Sequence, residues 1–536
     1  MKGNALASIS GAFWNEHHRT VGTLRRMVEP GAAKQDTAGG ASGAQGERGS
    51  GPTPSPSSAV FRRVCLILGP AVFAFFAFGY QPPGLSFEGA AVLGTVGWMA
   101  LWWMSESVPL PATALLPIVL FPLFGIERSG EVFSSYSNNI IFLFLGGFLL
   151  AAALEKWGLH RRLAIGIIRI LGTSAPRLIL GFMAATSFLS FFITNTAATM
   201  MMLPMAMAVI TSVKEVGSEK PEEIRGFEKS LIFGVGYSAT IFGMSTILGG
   251  TSIPFFISYT KDSLGIEISF AQFAGFAVPF ALVFLLLTWF YLVKIRFRVS
   301  MKQIPGGRKI IDEEHRSLGR MSFEEKLVTG VGLFVSLLWV TRTWLVSPIV
   351  PEITDGMIAV IGAVLLFLLP ARKAGTPRLL EWSDTTKVPW GVLLLLGGGF
   401  ALAGAVQSTG LSQWIGDQFI GLNGVPALVF ILIVVLTLAF LTEITSTGAT
   451  AILFIPLMAT VAVAVGQDPL FVMLAAALAV NCSFMLPAGT PPNSIIYASG
   501  LVTIGEMIRA GFVITLLGAV LIVATMFTWA PLMFSF

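Results

Sequence analysis

From residue 60 to the end of the chain, long uncharged apolar stretches alternate with short polar segments. The stretches 277–292, 358–369, 427–441 and 514–526 contain no Asp, Glu, Lys or Arg. A helix needs about 20 apolar residues to cross the hydrocarbon core of a bilayer. The pattern therefore predicts an all-α polytopic membrane protein with about 11 transmembrane helices.

Polar or helix-breaking residues interrupt four of the apolar stretches. The breaks lie at 194–196, 250–252, 446–448 and 489–493, and the last of them reads Gly-Thr-Pro-Pro-Asn. Non-helical backbone is tolerated at membrane depth only where protein surrounds it or where it lines a water-filled cavity. The breaks therefore predict one shared pocket in the middle of the membrane, as in secondary transporters built from internal repeats.

The chain contains an internal repeat whose two copies are 252 residues apart. Thr194 matches Ser446 and Pro204 matches Pro456, and the match continues upstream without a gap. Each copy contains an apolar segment with a polar centre, which is typical of a re-entrant hairpin that enters and leaves the membrane on one side. The repeat therefore predicts two related halves, each with one hairpin.

The repeat, together with changes in composition, divides the chain into four parts. The first is rich in Gly, Ala, Ser and Pro and cannot bury enough apolar surface to fold alone. The parts are a disordered cytoplasmic N-terminal tail (1–58), a first half (60–297, transmembrane helices 1–6 with a hairpin at 176–212), a basic cytoplasmic connector (298–326), and a second half (327–536, transmembrane helices 7–11 with a hairpin at 425–465).

The placement of charge predicts the orientation. Only 12% of the residues are charged, against about 25% in soluble proteins. When the chain is threaded through the predicted helices, nearly all Lys and Arg fall on one side, and little beyond Arg128 and Lys261 falls on the other. By the positive-inside rule the N-terminus is cytoplasmic and the C-terminus outside, in the plasma (bacterial inner) membrane. The same path makes the two halves inverted repeats.

Several function classes lack the residues they need. Cys65 and Cys482 both lie in apolar surroundings and provide neither a disulfide framework nor metal-ligand spacing. Paired carboxylates, a metal cluster and a nucleophile with a base are all missing at membrane depth, so we expect no enzyme and no organic cofactor. The expected partners are a small anion and the lipid bilayer, and we expect no nucleic acid.

The breaks carry chemistry suited to ions. Half-helix N-termini attract anions, and freed carbonyl oxygens suit Na⁺. No Lys or Arg lies in the breaks, so anion recognition would rest on neutral donors and helix dipoles. Glu443, three residues before Ser446, is either a proton site or a structural acceptor for freed backbone N–H groups. The run Gly397-Gly398-Gly399 favours close helix packing over a phosphate loop, because no strand precedes it.

Several motifs resemble those of the divalent anion/sodium symporter family, which contains Na⁺-coupled dicarboxylate, citrate and sulfate transporters. The matching stretches are 101–117, Gly146-Gly147-Phe148, Thr194-Asn195-Thr196, Thr442-Glu443 with Ser446, and 483–493. The resemblance covers about residues 60–536. It implies a homodimer with an elevator mechanism, in which a scaffold of helices 1–4 and 7–9 holds a transport domain of both hairpins and helices 5, 6, 10 and 11.

The resemblance also implies the site residues. Substrate carboxylates would bind Asn195, Thr196, Ser446, Thr447, Thr490 and Pro491. Sodium ions would bind Thr194, Asn195, Gly250 and Thr251 at one position, and Thr445, Gly448, Gly489 and Asn493 at another.

Two residues depart from the family pattern. Thr447 replaces the Asn of the second Ser-Asn-Thr motif, and Pro254 replaces an Asn in the first broken helix. We expect a secondary active transporter of small divalent anions, foremost C4-dicarboxylates such as succinate or malate, coupled to Na⁺. The alternatives are a Na⁺-independent anion exchanger, a carrier of sulfate or citrate, and a non-transporting membrane sensor of the same fold.

Overall fold

The computed structural model describes residues 56–172, 174–216, 220–301, 307–373, 375–419, 424–534 and 536. The predicted tail, 1–58, therefore lies almost entirely outside the described residues, as does part of the predicted connector. The described residues form helices, with one isolated bridge between Pro370 and Arg378. The helices are α1 Pro56–Ala74, α2 Phe87–Ser105, α3 Leu110–Thr113, α4 Leu116–Leu123, α5 Ser129–Ser135, α6 Asn139–Lys156, α7 Leu159–Leu171, α8 Ala175–Phe192, α9 Asn195–Val216, α10 Pro221–Gly243, α11 Ser252–Leu264, α12 Phe270–Phe290, α13 Gly307–Ser317, α14 Phe323–Thr341, α15 Asp355–Leu368, α16 Trp390–Ser408, α17 Leu411–Asp417, α18 Ala427–Ile444, α19 Thr447–Ala464, α20 Pro469–Ala479, α21 Pro491–Ala498, α22 Ile504–Thr528 and α23 Ala530–Met533.

The predicted class, an all-α polytopic membrane protein, is confirmed. Within the described ranges, 10 helices are long and apolar enough to cross a membrane. Three shorter apolar helical stretches, Leu110–Leu123, Asp355–Leu368 and Pro469–Ala479, add to them. Because four of the 10 are arms of the two hairpins, the predicted total of about 11 transmembrane helices stays a prediction.

Each hairpin consists of two helices joined by a two-residue extended break. Helices α8 and α18 begin at residues 175 and 427, and α9 and α19 begin at 195 and 447, so both pairs of starts are 252 residues apart. Ile193 and Thr445 have extended backbone where the first helix of each hairpin ends. The repeat seen in the sequence is therefore a repeat of structure.

The two broken helices follow the hairpins. Residues 244–251 separate α10 from α11, and residues 480–490 separate α20 from α21. In the first break, Gly249 packs against Gly243 so closely that an added Cβ would lie 2.4 Å from the Gly243 Cα. In the second break, Pro491 and Pro492 lack a backbone N–H and stand at the first positions of α21, where proline is tolerated.

The helix ends form two layers of polar contacts. The layer that we call the basic end contains most of the ion pairs to Lys and Arg, and the other we call the opposite end. Ion pairs of the basic end are Arg162–Glu325 (2.8 Å), Lys156–Asp384 (2.7 Å), Lys214–Glu228 (2.6 Å) and Lys229–Glu506 (2.5 Å). Those of the opposite end are Arg342–Asp355 (2.8 Å) and Arg342–Glu267 (3.2 Å).

The two hairpins enter the helical body from these opposite ends. The base of the α8–α9 hairpin lies at the basic end, where Lys214 near the end of α9 pairs with Glu228. The base of the α18–α19 hairpin lies at the opposite end, where Ala464 lines a cavity with Ser263 and Gln407. The hairpins therefore point their breaks toward each other, which is the arrangement of inverted repeats.

Glycine pairs allow equivalent helices of the two halves to cross closely. A Cβ added to Gly146 in α6 would lie 2.5 Å from the Ala359 carbonyl carbon, and one added to Gly398 in α16 would lie 2.2 Å from the Ala114 oxygen. At Gly397 the neighbour is Tyr136, 2.3 Å away. The expected role of the triple glycine in helix packing is confirmed.

Candidate functional site

Four helices begin at the breaks, and their N-termini surround one region of the interior. These are α9 and α19 of the hairpins and α11 and α21 of the broken helices. Helix α9 packs against α21, and α11 packs against α19, so each pairing joins one half of the chain to the other. Helix N-termini carry unpaired N–H groups and partial positive charge. The arrangement thus offers several N–H groups to an anion without a formal cation.

The first hairpin break is joined directly to the first broken helix. The backbone N–H of Asn195 donates to the Gly249 carbonyl at 3.3 Å. The Asn195 side-chain oxygen accepts from the Thr196 N–H at 2.9 Å, and the Thr194 hydroxyl accepts from the Ala197 N–H at 3.3 Å. Because Gly249 immediately precedes Gly250 and Thr251, the predicted first cluster is brought together.

The second hairpin break contacts both broken helices. The Thr447 hydroxyl donates to the Gly489 carbonyl at 3.4 Å. A Cβ added to Gly448 would lie 2.8 Å from the Thr251 hydroxyl oxygen. Gly448 and Gly489 are therefore close to Thr447, as predicted, and the two predicted clusters are neighbours.

Glu443 accepts backbone hydrogen bonds from the second broken helix. Its two carboxyl oxygens accept from the N–H groups of Phe484 (2.7 Å), Met485 (3.0 and 3.1 Å) and Leu486 (2.8 Å). The Glu443 side chain is 2% exposed, so a carboxyl without such donors would be costly there. Of the two alternatives for Glu443, this geometry favours the structural acceptor, and the donors belong to the broken helix, not to the hairpin turn.

Two buried oxygens near the second break have no hydrogen-bond partner in the described part of the chain. They are the Thr490 hydroxyl oxygen and the Asn493 side-chain oxygen. The Asn493 amide nitrogen donates to the Ser483 and Leu486 carbonyls, both at 3.0 Å, which fixes the side chain in place. Buried polar atoms are normally paired, and neutral oxygens of this kind suit a hard cation such as Na⁺.

The remaining predicted residues lie at the edges of the site. The Thr445 hydroxyl is within 2.6 Å of the Thr450 hydroxyl and donates to the Leu441 carbonyl at 2.9 Å, so it is engaged within its own hairpin. The Ser446 hydroxyl caps α19 by accepting from the Ala449 N–H at 3.3 Å. Pro491 is exposed at the first position of α21.

Asn481 is a site residue that the sequence analysis missed. Its amide nitrogen donates to the Ser252 hydroxyl at 2.7 Å and to the Ala477 carbonyl at 2.8 Å, so it joins the two broken helices. Its side-chain oxygen lies 3.9 Å from the position of a Cβ on Gly250. The available signal was an amide directly after the uncharged run 469–480, in a half whose second motif lacks its Asn.

Comparison with known proteins identifies the family. The family described as the sodium:sulfate symporter transmembrane region matches residues 61–536. The "sodium-dependent dicarboxylate transporter SdcS" of Staphylococcus saprophyticus is 44% identical over 473 residues, which cover 87% of this chain and 91% of that protein. The protein of the same name from Staphylococcus aureus strain bovine RF122 is 42% identical over 472 residues, with the same coverage of each chain.

A solved structure supports the fold. That of Neisseria gonorrhoeae MtrF, described as illuminating a class of antimetabolite efflux pumps, aligns with a TM-score of 0.51 at 14% identity. The alignment covers 88% of this chain and 94% of MtrF. At this identity the similarity is one of fold alone. The match to the symporter family and to the SdcS relatives extends over most of the chain, and the chain therefore belongs to the divalent anion/sodium symporter family.

Proposed function

We propose that this protein is a secondary active transporter that couples the uptake of C4-dicarboxylates, such as succinate or malate, to Na⁺. The observation that carries the proposal is the meeting of four half-helix N-termini from two inverted halves around uncharged polar residues. The names of the SdcS relatives support both the ion and the substrate class.

The proposed anion site uses neutral donors. The carboxylates of the substrate bind Asn195, Thr196, Ser446, Thr447 and Thr490, and the N-termini of α9, α19 and α21 add N–H groups and favourable dipoles. Pro491 orients the start of α21. Because Glu443 is already surrounded by N–H donors, its negative charge is compensated before the substrate arrives.

The proposed Na⁺ positions lie on either side of the anion. Thr194, Asn195, Gly250 and Thr251 form one position. Thr445, Gly448, Gly489 and Asn493 form the other, where the Asn493 oxygen is buried without a partner. Cations bound next to the carboxylates lower the cost of holding two negative charges inside the membrane, so the ions and the anion bind more tightly together than alone.

Transport itself is proposed to follow an elevator mechanism in a homodimer. The hairpins, the broken helices α10–α11 and α20–α21, and helices α12 and α22 form the moving transport domain, and the other spanning helices form the scaffold. We further propose that the basic end faces the cytoplasm of a bacterial cell, which puts the N-terminus inside and the C-terminus outside.

Uptake by proteoliposomes tests the proposed coupling. Labelled succinate should accumulate when Na⁺ is high outside and low inside, and accumulation should be lost when K⁺ replaces Na⁺. Equal exchange of succinate with and without Na⁺ would instead favour an anion exchanger, an alternative that the missing Asn at positions 254 and 447 keeps open. Substrate-induced thermal stabilisation without any flux would favour a sensor.

A counterflow panel tests the substrate class. Proteoliposomes loaded with unlabelled succinate, malate, citrate, sulfate or phosphate are placed in labelled succinate. Strong counterflow with succinate and malate, and little with citrate or sulfate, is the expected result. Stronger counterflow with citrate or sulfate would contradict C4 selectivity while leaving the transport activity intact.

A further inference from the structure

A second cationic cavity lies at the basic end, away from the breaks. Its volume is about 630 Å³, and it forms where α6 meets α7, where α13 leads into α14, and where the chain leaves α15. Unlike the site among the breaks, its lining is rich in charge. The lining residues are Lys156, Trp157, Gly158, Arg161, Arg162, Ser317, Leu318, Arg320, Ser322, Glu324, Glu325, Arg372 and Lys373.

The two acidic residues of the lining are already engaged. Glu325 accepts from the Arg162 side chain at 2.8 Å and from the Ser322 N–H at 2.6 Å. Glu324 accepts from the backbone N–H of Arg372 at 2.8 Å. Arg162 also donates to the Leu318 and Gly319 carbonyls, so this part of the lining is rigid.

Three cations of the lining remain without a carboxylate partner. Arg320, Arg372 and Lys373 are exposed, and they form no ion pair within the described residues. The Arg372 guanidinium lies 4.1 Å from the ring centroid of Phe323, which fixes its direction by a cation–π contact. Three such charges on separate segments, converging on one concave surface, match a multivalent oxyanion.

Aromatic side chains place the cavity at the level of a membrane surface. Trp157 lines the cavity and donates its indole N–H to the Leu379 carbonyl at 2.9 Å. Trp382, at the same end, is 75% exposed, and Trp390 is 45% exposed. Exposed Trp is typical of the membrane–water interface, where lipid phosphate groups lie.

We propose that this cavity binds a phosphate group, through Arg320, Arg372 and Lys373, at a site separate from the transport site. The phosphate is carried either by the headgroup of an anionic lipid or by free inorganic phosphate. Basic pockets between transmembrane helices on the cytoplasmic side are the usual sites of anionic headgroups. The proposal does not depend on which anion the protein transports.

Binding to the full-length protein in a neutral detergent tests the proposal. The probes are short-chain phosphatidylglycerol, inorganic phosphate, and short-chain phosphatidylcholine as the net-neutral control. The double variant Arg320→Gln/Lys373→Gln removes two of the three free cations. The matched control is Lys326→Gln, because Lys326 is an exposed cation of the same helix start that does not line the cavity.

The expected result is saturable binding of phosphatidylglycerol or of phosphate to the unaltered protein, with phosphatidylcholine much weaker. The double variant should bind about fivefold more weakly per removed charge, and Lys326→Gln should bind normally. Binding of phosphatidylglycerol alone identifies a lipid site, and binding of phosphate with similar affinity identifies a free-anion site. Failure of both probes to bind, or equal binding by the double variant with an unchanged thermal midpoint, would overturn the proposal.

Discussion

At the residue scale, the hydroxyl of Thr447 is the most informative departure from the family pattern. It donates to the Gly489 carbonyl and stands where an Asn is usual. We predict that Thr447→Val raises the KM for succinate about tenfold or more, because a hydrogen bond to a charged group contributes about 1.5–3 kcal/mol. Thr447→Ser keeps the hydroxyl and should stay within a few-fold of the unaltered protein. Concentration-dependent uptake by proteoliposomes measures both, and equal KM values for Val and Ser would exclude Thr447 from the site.

Glu443 allows a second prediction at this scale. Glu443→Gln places an NH₂ group among three backbone N–H donors, so at least one donor loses its partner at a cost of about 1–3 kcal/mol. We predict a lower thermal midpoint in detergent together with a loss of uptake at every pH. A proton-coupling role predicts something different: a normal midpoint, with only the pH dependence of uptake removed.

The residue-level prediction from sequence succeeded where the breaks could be read directly. Thr194–Thr196 and Gly489–Asn493 could be found because Gly, Pro and hydroxyl residues interrupt apolar runs. The partner of Asn481 could not be found this way. Ser252 is 229 residues away, outside the 252-residue offset, and only tertiary packing brings the two side chains together.

At the element scale, the repeat offset explains what was predictable. The hairpins keep one offset because helices α8 and α9 and their counterparts have matched starts. The broken helices do not, since α11 begins at 252 and α21 at 491, 239 residues apart. Insertions between elements change the offset without changing the fold, so the second broken helix had to be recognised from its own glycine and prolines.

The glycine crossings of the two halves yield an element-scale prediction. Gly398→Ala would put a Cβ 2.2 Å from the Ala114 oxygen, so α16 must move away from the start of α4. Overpacking of this kind costs about 1–3 kcal/mol, and we expect a lower thermal midpoint and weaker uptake. Gly330→Ala in α14 is the matched control, because nothing lies within 4 Å of its added Cβ. A normal midpoint for Gly398→Ala would contradict the close crossing.

At the scale of the whole molecule, polar contacts join the proposed transport domain to the proposed scaffold at the opposite end. Asp262 in α11 accepts from the Asn138 amide at 3.2 Å, and Ser263 donates to Gln407 at 3.3 Å. Burial raises the pKa of the Asp262 carboxyl, and hydrogen bonds from Ser258 and Asn138 oppose that rise. An elevator movement must break these contacts in every cycle.

Cross-linking tests that movement. In a variant that lacks Cys65 and Cys482, Asn138→Cys and Asp262→Cys should be joined by a short bifunctional thiol reagent, and uptake should stop. The matched control joins two scaffold positions, Glu155→Cys and Lys387→Cys, whose native side chains lie 2.9 Å apart. That control should transport normally after cross-linking. Full uptake by the cross-linked 138–262 pair would exclude a movement of α11 relative to α6.

The central claim is that breaks from two inverted halves form one binding site, and the most direct measurement is an electron cryomicroscopy structure of the protein in lipid nanodiscs with succinate and Na⁺. The account predicts a substrate-dependent density in contact with Asn195 and Thr196 on one side and with Thr447 and Thr490 on the other. Density for succinate outside this region, or Asn195 and Thr490 turned toward lipid, would contradict it.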